Sequence, residues 1–117
     1  MLLWITAAGV LGSLARYWTS RAAARIAPSE FPYGTLAINW TGSFLTGLLA
    51  GAAALSLPRP VSLVLLSGFL GAYTTFSTFT YESAALLRSG ERGQAVWNLV
   101  LHVGGGAALA LLGMAIA

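Results

Sequence analysis

The sequence predicts an all-α membrane protein, a single domain over residues 1–117 made of four transmembrane helices, the third of them broken. Three observations carry this. Apolar residues make up 57% of the chain and charged residues only 8%, far below the charge of a soluble domain. Charges and prolines cut the chain into four apolar segments, each near or above the ~20 residues that span a bilayer core as a helix. They lack the short, alternating pattern of barrel strands. Finally, residues 68–81, GFLGAYTTFSTFTY, place two glycines, five Thr or Ser hydroxyls and paired phenylalanines inside a membrane-length segment.

The first segment, residues 2–20, runs into an Arg-rich patch and the breaker Pro28. It lacks the basic start of a signal peptide, and Arg21 and Arg25 flank the small residues that would mimic a cleavage site, so it reads as a retained helix. The second, residues 33–57, starts after Phe31-Pro32 and ends at Pro58-Arg59-Pro60. Residues 61–87 form the third, ending at Arg88-Ser89-Gly90-Glu91-Arg92, and residues 94–117 the fourth. Short linkers predict that consecutive helices are antiparallel neighbours. Four such helices have little interior for polar groups, so oligomerisation is expected. Arg16 and the linkers after segments one and three hold five of the six arginines, which puts that side in the cytoplasm and both termini outside.

Composition also excludes chemistry. Without cysteine there is neither a disulfide framework nor a thiolate metal site. The formal charge of +3 sits at segment ends rather than in a basic run, so it anchors the chain and does not imply a nucleic-acid partner. Paired carboxylates, a Ser/His/Asp set and a phosphate loop are all missing from the sequence, so it does not read as an enzyme.

The break in the third helix is predicted around Gly71 to Thr75, because a run of β-branched Thr after glycine is poor helix material. Non-helical backbone at membrane depth survives only where protein covers it or where it lines a polar cavity. Such a break suits an ion or a small polar solute. Segment two adds Thr35, Asn39, Ser43, Gly47 and Gly51 at intervals of four, one polar, small-residue stripe. Gly47 and Gly51 read equally as a helix-packing seam. The Asn39 amide supplies two donors that can replace water around an anion. Segment four repeats the spacing with Asn98, His102 and Gly106, where His102 is a hydrogen-bonded interior residue or a donor along a polar track. Phe76 and Phe79 share a face with the hydroxyls, and their positive ring edges can meet an anion while rejecting cations.

These residues together resemble the CrcB/Fluc family of small fluoride channels. The matching pieces are Gly12, Ser13 and Arg16; Phe31-Pro32-Tyr33-Gly34-Thr35-Leu36 leading to Asn39; and Gly68-Phe69-Leu70-Gly71 leading to Thr74-Thr75-Phe76-Ser77-Thr78-Phe79. The resemblance implies an antiparallel, dual-topology dimer of four-helix subunits with two pores. The pore Asn falls on Asn39, the pore phenylalanines on Phe76 and Phe79, and the hydroxyl track on Thr35, Thr75, Ser77 and Thr78. A central structural Na⁺ would be held by the backbone carbonyls of Gly71 and Thr74 from both subunits. The chain departs from the family at Asn98 and His102, where many members carry Tyr and Ser, and in its arginine asymmetry. The asymmetry leaves open a heterodimer with an oppositely oriented paralogue instead of a homodimer.

The expectation is therefore a passive fluoride channel in the plasma membrane of a prokaryote that exports the anion and confers fluoride resistance. A small multidrug-type proton-coupled antiporter is the first rival; it needs a membrane-embedded Glu in helix one, where the sequence has none. A non-transporting assembly subunit is the second, and it leaves the hydroxyl-rich break without purpose.

Overall fold

The computed structural model describes the backbone of residues 1–117 and every side chain except those of residues 53–55. Four long helical segments follow one another, with no strand among the described residues. Helix α1 spans Leu2–Ile26 and α2 Tyr33–Leu55. The third segment is two helices, α3 over residues 59–73 and α4 over Phe76–Arg88. Helix α5 is Arg92–Ile116. The 25 and 23 residues of α1 and α2 suffice in length to cross a bilayer. Arg59–Arg88 and Arg92–Ile116 are both long and apolar enough to do so.

The segment ends differ from the sequence expectation for local reasons. Helix α1 continues six residues past Ser20 to Ile26, because Ala22, Ala23 and Ala24 are strong helix formers and the first breaker is Pro28. Helix α3 starts at Arg59 rather than 61, because Pro60 sits in its first turn, where its missing N–H costs nothing. The turn into α5 needs Gly90, whose φ of 85° is left-handed. Two stretches widen to π-helical turns that the sequence did not announce, Val64–Leu70 and Leu101–Gly105.

Glycines decide how the helices meet. On α1 and α3, a Cβ on Gly12 would overlap the Phe69 carbonyl, and one on Gly68 would lie 2.8 Å from the Ile5 carbonyl oxygen. The two backbones therefore touch, which is how membrane helices gain packing without a hydrophobic drive. The same holds between α2 and the second half of α5: a Cβ on Gly47 would overlap the Ala110 carbonyl, and one on Gly113 the Phe44 carbonyl. Of the two readings open for Gly47, the structure shows the packing seam. Consecutive helices touch, and the most extensive pairings are α2 with α5 and α1 with α3. A small core of Ile38, Leu70 and Tyr73 joins α2 to α3. Much apolar surface stays outside, including Leu2, Leu3, Trp4, Trp18 and Leu111, as a lipid-facing chain requires.

Gly12→Leu should therefore cost more than about 1–3 kcal/mol, since rigid backbone rather than a movable side chain blocks the site. Gly93→Ala, with nothing within 4 Å of its added carbon, should be neutral or slightly stabilising. Thermal unfolding in detergent, followed by size exclusion, separates the two.

Candidate functional site

The third segment leaves helical geometry at two residues. Gly71–Tyr73 is still helical, so the break starts later than Gly71: Thr74 has φ −78° and ψ 156°, and Thr75 φ −145° and ψ 116°. The Thr74 N–H keeps its helical bond to the Leu70 carbonyl at 3.0 Å, while both polar groups of Thr75 are redirected and one turn of α2 meets them. The Asn39 amide donates through Nδ2 to the Thr75 carbonyl oxygen at 2.9 Å, and its Oδ1 accepts the Thr75 N–H at 2.9 Å. The side chain thus pairs with Thr75 as a neighbouring strand would. Gly42 clears space for this, because a Cβ there would overlap Cγ2 of Thr74. Thr41 Oγ1 lies 2.8 Å from the Tyr73 hydroxyl.

The carbonyls at the end of α3 lose their helical donors as a result, and for two of them the diverted donor can be named. The Thr75 N–H would close onto the Gly71 carbonyl in a continuous helix, but it is held by Asn39. The Thr78 N–H would close onto the Thr74 carbonyl, but it donates to Thr75 Oγ1 at 3.2 Å, an N-cap that starts α4. The C-terminal end of α3 and the N-terminal end of α4 therefore face one place, one with free carbonyls and the other with the first N–H groups of a 13-residue helix. That pair of ends can take a cation on one side and an anion on the other.

The residues that the sequence nominated divide between two clefts. Asn39, Thr75, Phe76, Phe79 and His102 line one groove of about 230 Å³, together with Ser43. Thr75 Oγ1 donates to Thr78 Oγ1 at 2.9 Å and lies 3.5 Å from Ser77 Oγ, so these three hydroxyls form one cluster. Phe79 is 6% exposed and Phe76 is 76% exposed, with their rings edge to face at 5.9 Å. Thr35 lies apart, one turn of α2 before Asn39, where its hydroxyl donates to Glu82 Oε1 at 2.8 Å in a second cleft. Asn39 also differs from expectation, since one of its two amide hydrogens is committed to backbone and only the other is free for a solute.

On the far wall, α5 carries a buried polar ladder. Asn98 is 0% exposed and donates to Ser83 Oγ at 2.9 Å, while Ser83 donates to the Phe79 carbonyl at 2.8 Å. The His102 ring stacks on Phe79 with centroids 4.1 Å apart, and its Nδ1 is 3.0 Å from the Asn98 carbonyl oxygen. The Leu101 carbonyl, in the π-helical turn through His102, accepts the Trp40 indole N–H at 2.7 Å. Sequence reasoning missed Trp40, Ser83 and the Thr35–Glu82 pair. Glu82 stands near the end of the third segment, and only the fourfold spacing from Asn39 back to Thr35 hints at its partner.

The fold and site define a small all-helical protein with spans suited to a membrane and a polar break within one of them. A family model described as CrcB-like protein, Camphor Resistance (CrcB), matches residues 3–114. The chain is 42% identical over 111 residues to fluoride-specific ion channel FluC 2 of Moorella thermoacetica, covering 95% of this chain and 91% of that one. It is 45% identical over 109 residues to fluoride-specific ion channel FluC 2 of Mycobacterium tuberculosis, covering 93% and 84%. Against fluoride-specific ion channel FluC 1 of Nitrobacter hamburgensis it is 44% identical over 109 residues, covering 88% and 86%. The chain belongs to the CrcB-like family, whose members named here are ion channels and not enzymes.

The Asn39 clamp makes a specific prediction about stability. Asn39→Asp keeps an acceptor for the Thr75 N–H but sets a second acceptor against the Thr75 carbonyl. It should lower stability by about 1–3 kcal/mol, the cost of an unpaired buried group. Asn39→Ser should cost a similar amount by losing both contacts. A thermal midpoint in detergent unchanged by either substitution would mean that the clamp does not hold the break.

Proposed function

We propose that the chain forms a passive, fluoride-selective channel through which the anion leaves the cytoplasm of a prokaryote across its plasma membrane, conferring fluoride resistance. The observation that carries the reading is the groove at the break, where Asn39, the Thr75 hydroxyl cluster, the rings of Phe76 and Phe79 and the start of α4 converge. Kinship to proteins named fluoride-specific ion channels, at 42% identity over most of the chain, supports it.

Fluoride is small and strongly hydrated, so a dry path must return many donors for each water it strips. The free hydrogen of the Asn39 amide, the hydroxyl of Ser43, and the unpartnered first N–H groups of α4 are such donors. The Phe76 and Phe79 edges add positive charge without a formal cation that would trap the ion. Export then follows the membrane potential, about 2.3 kcal/mol per charge per 100 mV.

The functional unit in this reading is an antiparallel, dual-topology dimer with two pores. Gly71, Phe76 and Ser77 are exposed beside the break, and carbonyls without partners do not face lipid, so a second copy is the fitting cover. An oppositely oriented paralogue would cover them equally well. The carbonyls of Gly71 and Thr74, both deprived of helical donors, fit a hard monovalent cation such as Na⁺. Neutral carbonyls suit it better than Ca²⁺, which recruits carboxylates. When bound, that ion supplies positive charge that gathers the carbonyls of the two subunits.

Purified protein in liposomes should release fluoride under a potassium/valinomycin potential and release chloride far more slowly. Phe76→Ile and Phe79→Ile should keep the fold and cut fluoride flux about fivefold or more, if each ring edge is worth ~1 kcal/mol to the ion. Equal fluoride and chloride rates would overturn the selective-channel reading. Substrate uptake coupled to a proton gradient, without fluoride release, would favour an antiporter.

A further inference from the structure

Hydroxyls on these helices are commonly taken up by their own helix. Thr41, Thr46, Thr74, Thr80 and Ser83 each donate to the carbonyl four residues back, the usual way a helical hydroxyl is satisfied. Ser43, between Thr41 and Thr46 on α2, bonds to no other group among the described residues. Nor is it sealed away. The unpartnered side-chain atoms closed to solvent are those of Glu82, Gln94, Asn98 and His102, and Ser43 Oγ is not among them. Half-buried and lining the groove, the Ser43 hydroxyl is therefore open toward it.

The other side chains of the groove wall are more fully committed. Thr74 Oγ1 donates to the Leu70 carbonyl at 2.9 Å, and Thr75 Oγ1 donates to Thr78 Oγ1 at 2.9 Å. The His102 ring is engaged by the Asn98 carbonyl on one side and closed off on the other. Two side-chain donors are left to the groove, the second amide hydrogen of Asn39 and the Ser43 hydroxyl. They stand four residues apart on one face of α2, with about 5–6 Å between Cβ atoms, close enough for one small ion to meet both. Across from Ser43, α5 has no side chain. A Cβ on Gly106 would stand 3.3 Å from Ser43 Oγ, so the glycine leaves that oxygen without a neighbour competing for its hydrogen. Asn98, His102 and Gly106 follow at intervals of four, and the third step of that polar spacing is bare. At this level the donor comes from α2 instead.

We propose that Ser43 is the specificity-determining residue of the groove, the hydroxyl that separates fluoride from larger halides, a reading that rests on the fluoride-channel function above. The Asn39 amide is fixed in place by Thr75, whereas a serine O–H turns about its C–O bond to follow an ion. Hydrogen bonds to a charged acceptor are short, and the smaller, more charge-dense halide gains more from each. Chloride, larger and more weakly bound, loses little when the hydroxyl is removed. The groove thus discriminates by the number of bonds it forms with fluoride. Ser43 is the half of the donor pair that the clamp on the break does not use.

Fluoride and chloride efflux from liposomes under a potassium/valinomycin potential tests this. Ser43→Ala should lower the fluoride rate, and with it the fluoride-to-chloride ratio, about tenfold, the scale of one hydrogen bond to a charged group. Its thermal midpoint in detergent should match the wild type, because the hydroxyl bonds nothing in the protein. Ser43→Ala combined with Gly106→Ser returns a hydroxyl to the same space from α5 and should recover much of the ratio. Ser43→Ala combined with Gly106→Ala returns volume only and should not. Wild-type rates in Ser43→Ala, a lowered midpoint, or recovery by neither or by both double variants would sink the role of Ser43 while leaving the channel reading intact. Wild-type vesicles that release no fluoride, or both halides alike, would sink the two together.

Discussion

A backbone that leaves helical geometry inside a membrane must find new partners for its peptide groups, and the rest of this structure is arranged around how residues 74 and 75 do so. Water is not at hand there, and each unpaired group is costly in hydrocarbon. Asn39 satisfies both polar groups of Thr75, and Thr75 in turn caps α4 by accepting the Thr78 N–H. What remains is the set of carbonyls at the end of α3, those of Gly71 and Thr74 among them. The packing follows from that arrangement. Gly42 lets α2 come close enough to place Asn39, and the glycine contacts of α2 with α5 and of α1 with α3 hold both sides of the break in register. A side chain added at any of these glycines would move the clamp as well as the helix.

The same economy shapes the groove. Three polar side chains near the break have one function satisfied by protein and one left over: a free amide hydrogen on Asn39, an unpartnered Oδ1 on Asn98, Nε2 on His102. Fully paired, these residues would only pack; unpaired, they would destabilise the helices they sit on. The rings of Phe76 and Phe79 line the groove edge to face and carry no formal charge.

Much of this was legible in the sequence because bilayer thickness and helix periodicity are stringent rulers. Four apolar runs between prolines and arginines became four helical segments. Glycine followed by consecutive threonines marked the break to within three residues, since β-branched residues lose rotamer freedom in a helix. Fourfold spacing set Asn39 on the face that meets Thr75. The remainder depends on partners distant in sequence or on backbone geometry. No local pattern says that α2 packs on α5, because that pairing comes from Gly47 meeting Ala110 and Gly113 meeting Phe44. The π-helical turns shift which residues of α3 and α5 face inward, and a regular 3.6-residue period cannot show them. The partnership of Thr35 with Glu82 joins residues 47 apart, so Thr35 read as one more hydroxyl of the track.

The central claim is that the break is completed by a second, oppositely oriented chain crossing at Gly71 and Thr74. The chain has no cysteine, so single cysteines report contacts cleanly. Position 71 is exposed and a Cβ there makes only an ordinary contact with the Leu66 carbonyl oxygen at 3.6 Å, so Gly71→Cys is tolerable, while Gly93→Cys lies at the start of α5, near one membrane surface. Treated in membranes with a short thiol cross-linker, the protein with Cys at 71 should run as a covalent dimer and that with Cys at 93 as a monomer. Antiparallel chains put the two copies of position 93 on opposite faces. Efficient cross-linking at 93, or none at 71, would contradict the account.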